Sequence, residues 1–191
     1  ALGIKATAAD SGLTDTATGQ KVYLYLESGV VVGRVGVAGV ASATGNISFT
    51  VTNSNGSLTL DQVRAITHPV TTNPDDAKSL LSADLVTLTR TDTITDKDGD
   101  TNTGSNSINL GSAISFLDDG PSITVSATTP SAASLQVDES NLANNTTVSF
   151  TNSFSNTPVY GADGAGTAIT STYALGIKAT AADSGLTDTA T

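Results

Sequence analysis

Apolar and polar residues alternate with a period of two over many short stretches of the chain, which is typical of strands with one buried face. The clearest case is Lys21–Glu27, where three aliphatic residues alternate with two tyrosines. Further strands are predicted at Val30–Val32, Ile47–Val51, Leu58–Leu60, Leu85–Thr91, Ser107–Leu110, Ala113–Phe116, Ile123–Ala127, Ser134–Val137, Thr147–Phe150 and Ala168–Ala179. Clusters of Gly, Asn, Asp and Ser separate these stretches. The pattern predicts an all-β, Ig-like antiparallel sandwich with Greek-key connections.

Composition supports this fold class, because the chain holds 32 Thr and 22 Ser but only two Glu. Residues that favour helices are scarce, and hydroxyl and β-branched residues are abundant. Two stretches nevertheless begin with a good helix-capping residue, Asp61–Ile66 and Asp75–Leu81, and predict one or two short helices. With four Tyr, four Phe and no Trp, the core must be filled mainly by aliphatic residues.

An exact repeat sets the domain organisation. Residues 174–191 are identical to residues 1–18, at an offset of 173. The chain is therefore one period of a tandem array plus the start of the next copy, and the period is long enough for a domain with its own core. Residues 1–120 are expected to form the main part of one sandwich without its first strands, residues 118–123 a linker, and residues 122–191 the start of the next repeat.

The presence of this segment at both ends of the sequence leads to two alternative expectations. Residues 1–18 and 174–191 compete for one place in the fold, so that the chain folds as a permuted single domain. In the other alternative, residues 122–191 complete a neighbouring molecule by strand exchange. The partners expected from the sequence are therefore identical repeats in the same chain or a strand-exchanged copy.

Charge and missing residue types exclude several function classes. The net charge is −10, and one period carries −9 because the overlap contributes −1. A nucleic-acid groove needs clustered Lys and Arg, which this chain lacks. No apolar run reaches the roughly 18 residues of a membrane helix, so membrane insertion is not expected. There is no Cys, and the single histidine, His68, is expected to be a structural hydrogen-bonding residue, so no enzyme activity is expected.

Three carboxylates alternate along one predicted turn, at Asp96, Asp98 and Asp100, with Gly99 allowing the backbone to curl. Converging oxygens of this kind suit Ca²⁺, which accepts irregular geometry. The turn is not an EF-hand, because Thr101 occupies the place of the required glycine. Repulsion between three close charges favours a bound cation. The alternative is an Asp-rich solvated turn.

Two further acidic pairs, Asp118–Asp119 and Asp138–Glu139, lie on either side of the expected repeat boundary. If they meet across the junction, a second calcium ion would fix the angle between neighbouring repeats. Asp163 lies in a Gly-rich loop and is a further candidate ligand. Asp10 and Asp15 flank a Ser-Gly turn and are expected to belong to a solvated loop.

Four runs carry a family resemblance: Thr95–Asp100, Phe116–Pro121, Val137–Ser140 and Gly161–Gly164. Together they resemble the tandem extender repeats of large bacterial RTX adhesins, which are type I-secreted surface proteins. The resemblance covers essentially the whole period, in permuted order. It implies a calcium-dependent sandwich, repeated many times, that holds a distal ligand-binding region away from the cell.

The resemblance also implies which residues bind calcium, namely Asp96, Asp98, Asp100, Asp118, Asp119, Asp138 and Glu139. It implies an extracellular location on the bacterial surface. The alternative function is a carbohydrate- or surface-binding sandwich module, for which Tyr23, Tyr25 and Tyr160 are the only sequence indications.

Overall fold

A computed structural model describes residues 1–130 and 135–188 of the chain, and these residues form an all-β protein. The strands are β1 (Leu2–Ile4), β2 (Ala9–Thr14), β3 (Lys21–Glu27), β4 (Val30–Val35), β5 (Ile47–Ser54), β6 (Ser57–Gln62), β7 (Ala77–Ser79), β8 (Val86–Thr95), β9 (Thr101–Asn109), β10 (Ser115–Leu117), β11 (Ser122–Ala127) and β12 (Phe154–Val159). Every strand pairing among them is antiparallel.

Two layers enclose one core. One layer is a five-stranded sheet in the order β2-β3-β4-β5-β6, a run of consecutive hairpins. The other layer contains the sheet β1-β8-β9 and the pair β7-β10, in which the β1–β8 and β7–β10 pairings join strands distant in the sequence. The buried apolar residues of both layers form a single cluster: Leu2, Leu13, Val22, Leu24, Val31, Phe49, Val51, Ile66, Leu80, Leu85, Val86, Leu110, Ile114 and Phe116. The expected all-β antiparallel sandwich is confirmed.

Phe49 of β5 and Phe116 of β10 join the two layers at the centre of the core. Their ring centroids are 5.0 Å apart in an edge-to-face arrangement. Phe49 fits only because β4 carries a glycine beneath it: a Cβ on Gly33 would lie 2.2 Å from Phe49 Cε1. Aromatic residues are few, so the rest of the core is aliphatic.

The two predicted helices are wrong. Asp61 and Gln62 are the last residues of β6, and Ala77–Ser79 forms β7 by pairing with β10. The helices among the described residues are single 3-10 turns at Ala83–Leu85, Gly111–Ala113 and Thr151–Ser153. None of them has the length or the apolar content that a membrane crossing needs.

Three predicted strands are also absent from the described residues. Residues 147–150 and 168–179 form no strand, and neither do residues 135–137. Ser134, the first residue of the predicted Ser134–Val137 strand, lies outside the described residues. A strand needs a neighbour to satisfy its backbone N–H and C=O groups, and alternation alone does not supply one.

The β8–β9 hairpin extends well beyond the sandwich. Val86 is buried, but every residue of β8 from Arg90 onward is exposed, as is all of β9. The six exposed residues of β8 each lengthen the strand by about 3.4 Å, so the tip lies roughly 20 Å beyond the core. The turn at that tip holds the acidic cluster described next.

Candidate metal centre

Asp96, Asp98 and Asp100 converge at the tip of the β8–β9 hairpin. One ligand atom from each lies within 4.8 Å of the others, and all three residues are exposed. Within residues 1–130 and 135–188, this is the only group of three or more His, Asp or Glu residues that converges so closely.

Local hydrogen bonds build this turn. The Gly99 and Asp100 N–H groups donate to Asp96 Oδ1 at 3.1 and 2.9 Å, and the Asp96 N–H donates to the Asp100 carbonyl at 3.0 Å. Gly99 has a φ of +101°, which glycine adopts without strain. The order Asp-x-Asp-Gly-Asp therefore determines the turn, because Asp96 caps it and Gly99 closes it.

The electrostatics of the cluster favour a shared positive charge. A hydrogen bond with the Asp98 side chain, followed by backbone N–H groups including those of Gly99 and Asp100, lowers the pKa of Asp96. Three carboxylates this close repel one another when ionised, and a bound cation would relieve that repulsion. Calcium–oxygen distances of about 2.3–2.6 Å put opposite ligands about 5 Å apart. Three ligand atoms that all lie within 4.8 Å of one another can therefore surround one ion.

Asp118, Asp119 and Asp163 line one cleft of about 350 Å³, together with Tyr160 and neighbouring residues. The Gly-rich loop reaches the Asp118–Asp119 turn because Gly161 lacks a side chain: a Cβ there would lie 2.3 Å from the Asp119 carbonyl oxygen. The structure thus brings Asp163 to the first acidic pair, but the three carboxylates do not converge within 4.8 Å.

Asp138 and Glu139 do not line this cleft. Both are exposed, and Asp138 Oδ1 accepts a hydrogen bond from the Ser140 N–H at 2.8 Å. That backbone bond, with the Ser140 side chain, lowers the pKa of Asp138. The second acidic pair therefore does not take part in the cleft formed by the first, and the junction site stays a prediction.

The expectation that Asp15 belongs to a solvated loop is wrong. Its side chain is fully buried, and Arg64 donates to both carboxylate oxygens, with Nε–Oδ1 at 2.7 Å and Nη2–Oδ2 at 3.1 Å. Thr18 adds hydrogen bonds from its N–H and its hydroxyl. Burial alone would raise the pKa of Asp15, but these donors outweigh it and hold the pKa below its usual value. Asp10 is partly exposed and pairs with Lys21.

His68 is buried against Asp76, with 3.8 Å between His68 Nδ1 and Asp76 Oδ2. Neither this nitrogen nor either oxygen of Asp76 has a hydrogen-bond partner in the described part of the chain. The expected hydrogen bond of a structural histidine is therefore not made at Nδ1. The sequence does not predict this pair, because no local pattern connects the two residues. They come together only through the way the segment between β6 and β7 packs.

The fold and the acidic tip define an all-β sandwich domain with a clustered-aspartate hairpin. The chain belongs to a protein family described as "Domain of unknown function (DUF5801)", which matches residues 1–111 and 134–191. Both copies of the repeated segment lie within the matched residues. Comparison with curated proteins and with solved structures gives no match.

Proposed function

We propose that this chain is a structural extender repeat of a large, type I-secreted bacterial surface adhesin of the RTX class. In this role it acts as a spacer that projects a distal ligand-binding region from the cell. The observation that carries the proposal is the 18-residue identity at an offset of 173, because tandem copies of a domain-sized unit set the length of an array. The resemblance of four acidic runs to extender repeats supplies the class of protein.

The sandwich supports a beads-on-a-string arrangement. All residues of the core cluster lie between Leu2 and Phe116, so one period contains a complete apolar core. Neighbouring periods at −9 each repel one another, which favours an extended array over a collapsed one. An array of such units gains reach with every added copy.

Calcium is the proposed cofactor, with Asp96, Asp98 and Asp100 as its first site. The spacing of these carboxylates fits one ion, and no lysine or arginine is paired with them in the described structure. A bound cation would neutralise the tip of the hairpin and hold its turn closed. Millimolar calcium outside cells suits modules with affinities of about 10⁻⁴–10⁻³ M, whereas cytosolic calcium would leave the turn unloaded before export.

Calorimetric titration with Ca²⁺ tests this site. The variant Asp98→Asn/Asp100→Asn removes two charges but keeps the Asp96 cap of the turn, and it should lose the binding heat of the first site. The control Asp61→Asn/Asp75→Asn removes the same charge from exposed positions outside the acidic clusters and should bind as the wild type does. Equal titrations for both variants would rule out the hairpin site.

Small-angle scattering tests the spacer role. If calcium also binds at the predicted junction between Asp118–Asp119 and Asp138–Glu139 and fixes the angle between repeats, a polypeptide of three 173-residue periods should scatter as an extended rod in calcium. After chelation it should scatter as a shorter, more flexible particle. A calcium-independent compact shape would contradict the proposal. Binding of a single period to immobilised glycans would instead favour the adhesion-module alternative.

A further inference from the structure

His68 and Asp76 form a buried polar pair that lies outside the acidic hairpin. Their side chains are 5% and 8% exposed, and His68 Nδ1 lies 3.8 Å from Asp76 Oδ2. This nitrogen and both carboxylate oxygens are buried, and none of the three has a hydrogen-bond partner within residues 1–130 and 135–188. Buried polar atoms are normally satisfied, so three such atoms side by side point to a ligand that satisfies them together.

Contacts within the protein do not satisfy this pair. A separation of 3.8 Å is too long for a hydrogen bond, whichever ring nitrogen carries the proton. Arg64 lines the same cleft as His68, but its guanidinium donates to both oxygens of Asp15. In the part of the chain that the structure describes, no lysine or arginine pairs with Asp76. Its buried carboxylate therefore has no basic neighbour other than His68 among these residues.

The separation of the two groups suits one metal ion bound by both. Zinc lies about 2.0–2.1 Å from a histidine nitrogen and about 2.0–2.2 Å from a carboxylate oxygen, so two such bonds span at most about 4.3 Å. An ion can therefore bridge His68 Nδ1 and Asp76 Oδ2 at their observed distance of 3.8 Å. Such an ion would satisfy the nitrogen and the carboxylate at once.

Asp118 lies beside this pair on the neighbouring strand. The register that places Leu117 of β10 opposite Ala77 of β7 continues to Asp118 and Asp76, and the Asp118 N–H donates to the Asp76 carbonyl at 2.9 Å. Side chains of directly opposite residues lie on the same face of an antiparallel pair. The two carboxylates and the imidazole do not all lie within 4.8 Å of one another. Asp118 is half-buried, and rotation of its side chain would add a third ligand.

An acidic cleft leads to His68. Its volume is about 370 Å³, and its walls include His68, Asp118, Asp119 and Asp163. Carboxylates around an opening raise the local concentration of cations. The cleft therefore gives a divalent ion a route to the buried pair, and its charge favours a cation over an anion or an apolar molecule.

We propose that His68 and Asp76, with Asp118 as a third ligand, bind a divalent transition metal of the zinc type. Calcium takes oxygen ligands, whereas an imidazole nitrogen beside a carboxylate is typical of zinc and other first-row metals. The site is separate from the Asp96–Asp100 turn and shares only Asp118 with the predicted junction site. It is independent of the extender role, so its failure leaves that proposal untouched.

Proton NMR tests the site directly, because the chain contains one histidine and its ring signals are unambiguous. The full chain, without a histidine tag and stripped of metal, should show ring signals that shift to an end point as Zn²⁺ is added. Ca²⁺ at the same concentrations should move these signals far less, because calcium disfavours nitrogen ligands. Ring signals that do not respond to Zn²⁺, or that respond equally to both ions, would overturn the proposal.

Matched variants distinguish this site from a histidine that binds zinc alone. Loss of even an outer-shell partner costs about 10–100-fold in metal affinity, so Asp76→Asn should weaken zinc binding at His68 by at least about tenfold. Asp98→Asn/Asp100→Asn removes two carboxylates of the hairpin and should leave the zinc response of His68 unchanged. Equal zinc affinities of Asp76→Asn and the wild type would overturn the proposal, as would loss of the response in the hairpin variant.

Thermal denaturation provides a second readout that does not depend on the ring signals. An ion that binds only the folded chain raises the melting temperature. Zn²⁺ should raise that of the wild type, whereas His68→Gln and Asp76→Asn should each show a smaller rise above their own metal-free values. The control Asp61→Asn, at an exposed position outside the site, should respond as the wild type does. A full rise in both site variants would overturn the proposal.

The third ligand is tested in the same zinc titration. Asp118→Asn removes the charge of this carboxylate but keeps the backbone pairing of β10 with β7, so it should also weaken zinc binding. Asp119→Asn changes the adjacent residue of the cleft wall and should have a smaller effect. Equal zinc affinities of Asp118→Asn and the wild type would overturn the assignment of Asp118 as a ligand.

Discussion

Arg64 and Asp15 form a two-pronged ion pair between segments 49 residues apart, with the carboxylate fully buried. The pair ties the end of β2 to the segment that follows β6, next to the Asp15–Ile66 bridge. Removing one partner of a buried pair leaves the other charge buried without a partner. The pair therefore fixes how the repeated segment sits in the sandwich.

We expect Arg64→Ala to reduce the free energy of unfolding by about 3–5 kcal/mol, because Asp15 would remain as an uncompensated buried carboxylate. Urea denaturation followed by circular dichroism measures this change. Lys5→Ala removes a salt bridge to Asp84 in which both side chains are about half exposed, and it should change little. Equal effects of the two substitutions would show that Asp15 is not buried.

The same pair predicts a stability change at acidic pH. The pKa of Asp15 is lowered in the folded chain, so the unfolded chain takes up the proton first as the pH falls. The contribution of Asp15 is complete at neutral pH, declines from about pH 4, the ordinary carboxylate value, and is lost below the folded-state pKa. Urea denaturation at several pH values should show a smaller acid-induced loss for Asp15→Asn than for the wild type. Parallel curves would contradict this assignment.

Gly33 is predicted to accept no larger residue. A Cβ at this position would collide with the Phe49 ring, so Gly33→Ala forces the core to shift and should cost about 1–3 kcal/mol. Gly104→Ala is the matched control, because it lies in exposed strand β9 and its Cβ would meet no atom within 4 Å. The difference in melting temperature between the two variants measures the effect. A fully stable Gly33→Ala would contradict the close approach of β4 to Phe49.

Replacing Asp76 is expected not to reduce the stability of the fold, in contrast to replacing Arg64 or Gly33. Both of its oxygens are buried without a donor among the described residues. A neutral amide is less costly to bury than an unsatisfied carboxylate, so Asp76→Asn should leave thermal stability unchanged or raise it. A clear loss of stability would indicate that the ionised carboxylate gains from nearby His68.

Short-range sequence patterns predict the elements whose conformation is specified by residues that are close together in the chain. Strand β3 matches the predicted Lys21–Glu27 at both ends, because alternation over seven residues specifies a half-buried strand. The acidic hairpin tip was equally visible, since Asp96, Asp98 and Asp100 are neighbours in the chain. The predicted helices failed because a capping residue cannot offset the cost of nucleating a helix of six or seven residues.

The features that sequence reasoning missed depend on distant partners. Asp15 sits in a Ser-Gly segment that resembles a solvated turn, and only the fold brings Arg64 to it. The repeated segment shows the same limit within one molecule. Residues 2–4 form a strand because β8 lies beside them, whereas the identical residues 175–177 have no such neighbour and form none.

Because the β8–β9 hairpin is long, opening of its acidic tip is not coupled to unfolding of the sandwich core, as it would be in a shorter loop. Its acidic tip lies roughly 20 Å from the nearest core side chains, so the tip can open and close while the sandwich stays folded. Thermal denaturation of the core would then report poorly on the proposed calcium binding, whereas hydrogen exchange of the Gly99 and Asp100 amides would report on it directly. An array of such domains would display one negatively charged hairpin per 173 residues, and each would respond locally to any ion that binds at its tip.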